Sequence, residues 1–118
     1  MPHVVIEYSE PHLDEEVIRS MMQAAFEVCA GSGIMQAEDV KVRAYPLRHV
    51  LLQGGAESLV HITLSLLAGR TPDQKASLAI ALRARLGAEF PDIDALSIDV
   101  RDMDPIAYKK RLRTGRNG

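Results

Sequence analysis

Pro2 carries the most specific chemistry in this sequence. A small residue in second position normally permits removal of Met1, which would leave a free secondary amine at the chain start. An α-amino group titrates at about 7.7–8.0. Burial or a nearby cation lowers that value by disfavouring the charged form. A neutral amine near pH 7 is a competent general base, and its conjugate acid can return the proton. Taken alone, Met-Pro is also an ordinary way for a chain to begin.

Three cations are candidate partners for such an amine. Arg70 precedes a capped helix start, in a short loop after the most apolar segment of the chain. There its guanidinium and the neighbouring backbone N–H groups would suit a carboxylate or phosphate. It reads equally as a surface arginine. Lys41 and Arg43 share the polar face of a second predicted strand with Tyr45. That pairing fits an anionic ligand or an acidic neighbouring subunit, and equally a solvated face. His3, His12, His49 and His61 have no metal-ligand spacing, and His61 on an apolar strand suits a hydrogen-bonded core or interface position. Cys29 lies on an apolar helix stripe and reads as core. The basic end, from Lys109 to Arg116, reads as a terminus or as a strap onto a neighbouring subunit.

The elements that must position these residues follow from periodicity. Residues 3–8 are rich in β-branched Val and Ile and predict a strand. From Leu13 the apolar residues Val17, Ile18, Met21, Ala25 and Cys29 recur at three- and four-residue steps, which predicts an amphipathic helix ending at Gly31 and Gly33. Residues 39–45 and 58–67 alternate as strands, with Pro46 weakening pairing in the first. Thr71, Pro72 and Gln74 form a capping-box start for a helix running to Phe90, with Ala76, Ala79, Leu82, Leu86 and Phe90 on one stripe. Residues 95–101 alternate again, and Asp104-Pro105 predicts a last short helix.

The order is β-α-β twice, with the units at 1–50 and 51–104 and a tail at 105–118, all in a single domain 1–118. This predicts an α+β two-layer sandwich, a four-stranded mixed sheet with two helices on one face. The other face would be bare, and an apolar sheet face left bare is most simply covered by another copy of the chain.

Composition narrows the function classes. With 14 basic against 16 acidic residues the net charge is −2 and the pI about 6.1, without the basic excess of a dedicated nucleic-acid binder. One cysteine excludes an intramolecular disulfide and a multi-cysteine zinc site. No apolar run approaches the ~20 residues of a membrane span. The start has no basic, signal-like region, so the expected location is cytoplasmic.

Two segments carry a family resemblance. Pro2-His3-Val4-Val5-Ile6-Glu7-Tyr8-Ser9 and Val60-His61-Ile62-Thr63-Leu64, the latter followed by Ala68-Gly69-Arg70, resemble the tautomerase superfamily and, within it, the 5-carboxymethyl-2-hydroxymuconate delta-isomerases. The junction Gly69-Arg70-Thr71-Pro72-Asp73-Gln74-Lys75 is also similar to that of the shorter 4-oxalocrotonate tautomerases. Chain length, the doubled β-α-β order and Asp104-Pro105-Ile106-Ala107-Tyr108-Lys109 fit the delta-isomerases better.

The resemblance implies a tautomerase or MIF-like fold and a homotrimer with active sites near subunit boundaries. It puts the proton-shuttling proline at Pro2, a carboxylate-binding arginine at Arg70, and further substrate-binding cations at Lys41 and Arg43. Lys41 stands where the family carries an arginine, which replaces a bidentate fork by a point charge. The implied substrate is a small carboxylate, a 2-hydroxymuconate-type dienol isomerised to its 2-oxo form in aromatic-acid catabolism, with no cofactor. The alternatives are another superfamily activity (enol–keto tautomerase, dehalogenase or hydratase of unsaturated acids) and a non-catalytic oligomeric module. A dehalogenase or hydratase needs a group to activate water, for which Glu7 and Glu57 are the candidates.

Overall fold

The computed structural model describes residues 1–10 and 13–113. His12 and Arg116, named above, lie outside them. The elements are β1 (His3–Ser9), α1 (Glu15–Ala30), β2 (Lys41–Leu47), β3 (Leu59–Leu67), α2 (Pro72–Glu89) and β4 (Ala95–Met103), with a 3-10 turn at Ala37–Asp39. The sheet order is β2-β1-β3-β4. Each β-α-β unit contributes a parallel pair, β1 with β2 and β3 with β4, and the two units join through the antiparallel β1–β3 pair.

Local chemistry accounts for the helices. Asp14 caps α1 by accepting from the Val17 N–H at 2.9 Å, with Glu15 and Glu16 in the first turn complementing the helix dipole. At the start of α2 both halves of the capping box form: Gln74 N–H donates to Thr71 Oγ1 (3.1 Å), and Thr71 N–H donates to Gln74 Oε1 (2.9 Å). The buried stripe of α2 is Leu78, Leu82 and Leu86. It is rotated from the expected one: Ala76 is exposed and Leu78 takes the core position.

Both helices lie on one face of the sheet. Val4 and Ile6 of β1 and Val60, Ile62, Leu64 and Leu66 of β3 are buried against Ile18, Met21, Ala25, Cys29, Leu82 and Leu86. The opposite face corrects one expectation. It is not a bare apolar surface, because alternation places His3, Glu7, Lys41, Arg43, Thr63, Ser65, Asp99 and Arg101 on it, in register across the strands. His61 is on this face, with Nδ1 2.6 Å from Ser97 Oγ. Helix propensity had no apolar platform to bind after β4. Residues 104–108 therefore make one turn, closed by Tyr108 N–H to the Asp104 carbonyl at 2.9 Å, and the last helix predicted there does not form.

Candidate active site

Strand directions gather the candidate residues at one end of the sheet. β1 and β2 both start there, since His3 is level with Lys41, and β3 ends there, since His3 is level with Ser65. Pro2 immediately precedes β1 and its side chain is fully buried. Its carbonyl accepts the Lys41 N–H at 3.0 Å, which ties the starts of the two strands together. Lys41 itself is exposed, with its ammonium 3.3 Å from the Asp39 carbonyl.

Arg70 reaches this end from the other unit. Gly69 has φ +135°, a backbone conformation that side chains disfavour, and it turns the chain after β3. The Arg70 guanidinium then donates from Nε (3.2 Å) and Nη2 (2.6 Å) to the Ile34 carbonyl and from Nη1 (3.2 Å) to the Leu67 carbonyl. It clamps the segment after α1 to the end of β3. Of its five N–H donors, one on Nη1 and one on Nη2 are left by these contacts.

The amine at the chain start records the local charge. It belongs to Met1 in the chain with its methionine, 3.9 Å from Asp39 Oδ2. Burial lowers its pKa first; Asp39 opposes that, and Lys110, Lys41 and Arg70 push it down further. Three cations thus act on one amino terminus, a field that disfavours the protonated amine and favours an incoming anion.

Arg43, one pleat along from Lys41, is engaged differently. Its Nη1 is 3.1 Å from His3 Nδ1, and His3 Nε2 is 2.9 Å from Tyr108 Oη. A guanidinium can only donate, so Nδ1 accepts and the ring proton sits on Nε2, donating to the tyrosine. Burial, then Arg43, Lys41 and the amino terminus hold the His3 pKa below its ordinary value. The His3 and Tyr108 rings also meet edge to face, with centroids 5.7 Å apart.

Sequence reasoning singled out Pro2, Lys41, Arg43 and Arg70. It missed the Tyr108–His3–Arg43 chain, in which His3 and Tyr108 are 105 residues apart in sequence, and it missed Asp39 and Lys110. Asp39 had a readable signal, since it lies two residues ahead of Lys41. Lys110 had none beyond belonging to a basic tail. Glu57 lies away from Pro2, just before β3 at the opposite end of the sheet, where its N–H donates to Asp94 Oδ2 at 2.7 Å. Glu7 is five residues along β1 from Pro2, about 17 Å at strand rise. Among the described residues no group of His, Cys, Asp and Glu could hold a metal ion. Among the described residues no helix is long and apolar enough to cross a membrane. A groove of about 470 Å³ between the end of α1 and the start of α2 borders Ile34 and Gln74 but contains neither Pro2, Lys41 nor Arg70.

Comparison with known proteins decides the family. The family model for 5-carboxymethyl-2-hydroxymuconate isomerase matches residues 2–111. The chain belongs to the 5-carboxymethyl-2-hydroxymuconate isomerase family. No curated protein matches it. A solved 5-carboxymethyl-2-hydroxymuconate isomerase from Deinococcus radiodurans R1 is similar at 26% identity and a TM-score of 0.77, over 95% of this chain and 90% of that one. A macrophage migration inhibitory factor-like protein from Entamoeba histolytica shares the fold at 12% identity and a TM-score of 0.73, over 93% and 95% of the two chains. So does a fused 4-OT wild-type symmetric trimer, at 15% identity and a TM-score of 0.73, over 87% and 88%. The muconate isomerase family and this fold together make the protein a tautomerase-superfamily isomerase.

Proposed function

We propose that the protein is a cofactor-independent delta-isomerase of 5-carboxymethyl-2-hydroxymuconate or a close analogue, with Pro2 as its proton shuttle once Met1 is removed. The observation that carries this reading is a buried Pro2 beside a chain-start amine on which Lys41 and Arg70 act, at one end of the sheet. The neutral Pro2 nitrogen takes the proton of the 2-hydroxyl. The electron pair moves through the conjugated chain as a dienolate, and a distant carbon receives the proton back from the prolinium. The product is the 2-oxo isomer, with no net oxidation and no water consumed. Arg70, through its two remaining N–H donors, and Lys41 hold substrate carboxylates and stabilise the dienolate charge. Arg43 is taken up by His3 and acts through it.

Activity would then lie in aromatic-acid breakdown, in the cytoplasm. The assembly would be a homotrimer, a reading supported by the symmetric trimer among the similar structures and by a charged sheet face suited to polar contacts between copies. A hydratase or dehalogenase reading is less well supported, because Glu7 and Glu57 are both placed away from Pro2.

The test follows loss of the dienol absorbance with wild type and Pro2→Ala, after intact mass has established that Met1 is gone. Wild-type turnover falling by about 10²–10⁴ in the variant is the expected result for general acid–base catalysis. Full activity in Pro2→Ala, or in protein that retains Met1, overturns the mechanism. No turnover by processed wild type overturns the substrate. Light scattering that gives a monomer overturns the trimer.

A further inference from the structure

The tail after β4 is the part of the molecule that the proposed reaction leaves unused. Met103 ends β4 at the same end of the sheet as Pro2, and the Asp104 turn folds the chain back across the open sheet face. Tyr108 is fixed there at both its ring and its hydroxyl by His3, the residue next to Pro2, and Arg43 holds His3 from the other side. Two residues later comes Lys110. Its Nζ is buried and has no hydrogen-bond partner among the described residues. It also lies close enough to the chain-start amine to be the largest of the cationic influences on it, ahead of Lys41 and Arg70.

A buried ammonium costs several kcal/mol unless an anion or hydrogen-bond acceptors compensate it. Among the described residues Lys110 Nζ has no hydrogen-bond partner, and it acts on the chain-start amine together with Lys41 and Arg70. In the chain with its methionine, Asp39 lies 3.9 Å from the Met1 amine, and among the described residues no ion pair joins it to Lys110. An unpaired lysine held by a dedicated tyrosine–histidine–arginine anchor is the arrangement expected of a group waiting for a ligand.

We propose that Lys110 is an anion-binding residue of the Pro2 site, taking one carboxylate of a di- or tricarboxylate ligand, and that Tyr108, through His3 and Arg43, is the positioning residue that places it there. The proposal rests on the reading of Pro2 as the site, and it adds to Arg70 and Lys41 a third cation. A ligand with three carboxylates has use for three cations. A monocarboxylate would leave Lys110 unmet, so the residue would select for substrates with more than one acidic group.

The test uses cis,cis-muconate, a stable unsaturated dicarboxylate, as the binding probe on full-length, processed protein. Calorimetry should give an affinity that falls about 10- to 100-fold in Lys110→Met, the loss expected for one charge-assisted contact. Lys110→Arg should restore binding to within a few-fold. Tyr108→Phe, which keeps the ring and removes the hydroxyl, should give an intermediate loss. In turnover of the dienol, Lys110→Met should raise KM more than it lowers kcat. NMR titration of the ligand-free N-terminal amine should move to higher pH in Lys110→Met, because a neighbouring cation has gone; a lysine remote from the amine would not give that shift, and the KM effect separates a ligand contact from a structural one.

Unchanged probe affinity in Lys110→Met, or no binding by wild type, overturns the proposal. So does a variant that assembles or melts poorly while its folded fraction binds the probe normally, since Lys110 would then be pairing with an acid of another copy. Failure of the proposed reaction is distinguishable: Lys110-dependent probe binding without dienol turnover sinks the substrate and keeps Lys110. Dienol turnover indifferent to Lys110 does the reverse.

Discussion

Replacing Arg70 with alanine separates its clamp from its proposed ligand contact, because the two fail on different observables. The clamp consists of three charge-assisted hydrogen bonds to two acceptors, the carbonyls of Ile34 and Leu67. Bonds to charged groups contribute about 1.5–3 kcal/mol each. Here two of the three share one acceptor, and water can reach both carbonyls once the side chain is gone. We therefore count about 1–2 kcal/mol per carbonyl, or about 2–4 kcal/mol in all. A chain of 118 residues unfolds with an entropy of about 250 cal/mol/K, so each kcal/mol moves Tm by about 4 °C. Arg70→Ala should melt about 8–16 °C lower. Arg70→Lys, whose ammonium reaches one carbonyl at a time, should lose about half of that. The assay is thermal denaturation by circular dichroism at one fixed protein concentration, since the proposed assembly would make Tm concentration-dependent. Hydrogen exchange should be faster in the segment around Ile34. A melting temperature within about 2 °C of wild type would refute the clamp. Arg70→Lys that keeps most of its stability yet loses most of its kcat/KM would place the remaining loss on the carboxylate contact.

Other consequences are open to direct measurement. His3 has a folded-state pKa below its unfolded value of about 6.5, so between the two the unfolded chain holds more protons. Stability from this residue is complete above about pH 6.5 and is lost as pH falls through the folded value, with a slope of at most about 1.4 kcal/mol per pH unit. Urea unfolding from pH 4.5 to 7.5 should therefore be less steep with pH in His3→Gln, and identical profiles would exclude this coupling. Cys29 is fully buried and burial pushes its thiol up to about 11, so a thiol reagent at pH 8 should label the native protein only as fast as it unfolds; prompt labelling would contradict its burial. Thr71→Ala removes the cap on Gln74 N–H and should cost about 1 kcal/mol, read as a drop in Tm of about 4 °C, with no loss expected if the cap is solvated away.

The strands and helices were legible because each rests on a local signal. Alternation marked β3, whose buried positions Val60, Ile62, Leu64 and Leu66 follow one another at two-residue steps. The Thr71-Pro72-Gln74 pattern marked the start of α2. Pro46 was read as a weak point, yet β2 runs through it to Leu47. The reason is topological: β2 is an edge strand, and a proline there can turn its missing donor outward. The tail failed for the opposite reason. Asp104-Pro105 is a sound helix start, but Ile106 is 80% exposed and Tyr108 is taken by His3, so no apolar surface rewards a further turn. Lys41 and Arg70 could be picked out as cations near strand ends. That they converge depends on the antiparallel joining of two units, and Lys110 joins them only through a contact spanning 105 residues. Local patterns carry no information about such pairings.

The half-buried position of Met1 sets a deadline for maturation. Its amine is partly desolvated, its neighbour Pro2 is buried, and the tail turns back toward it. An aminopeptidase must draw the first residues into its own cleft in extended form, which the folded chain does not offer. Residues 104–110 follow Met1 from the ribosome by about 5–20 s at ordinary synthesis rates. On the proposed mechanism the proline amine would have to be freed during translation, in a race between trimming and folding. Protein refolded from a precursor that has kept its methionine should stay closed to the peptidase. Its proline nitrogen would remain an amide in an otherwise complete fold. Incomplete trimming in an overproducing cell would then appear as a fraction of inert molecules, lowering the activity per milligram while leaving the melting curve of the remainder in place.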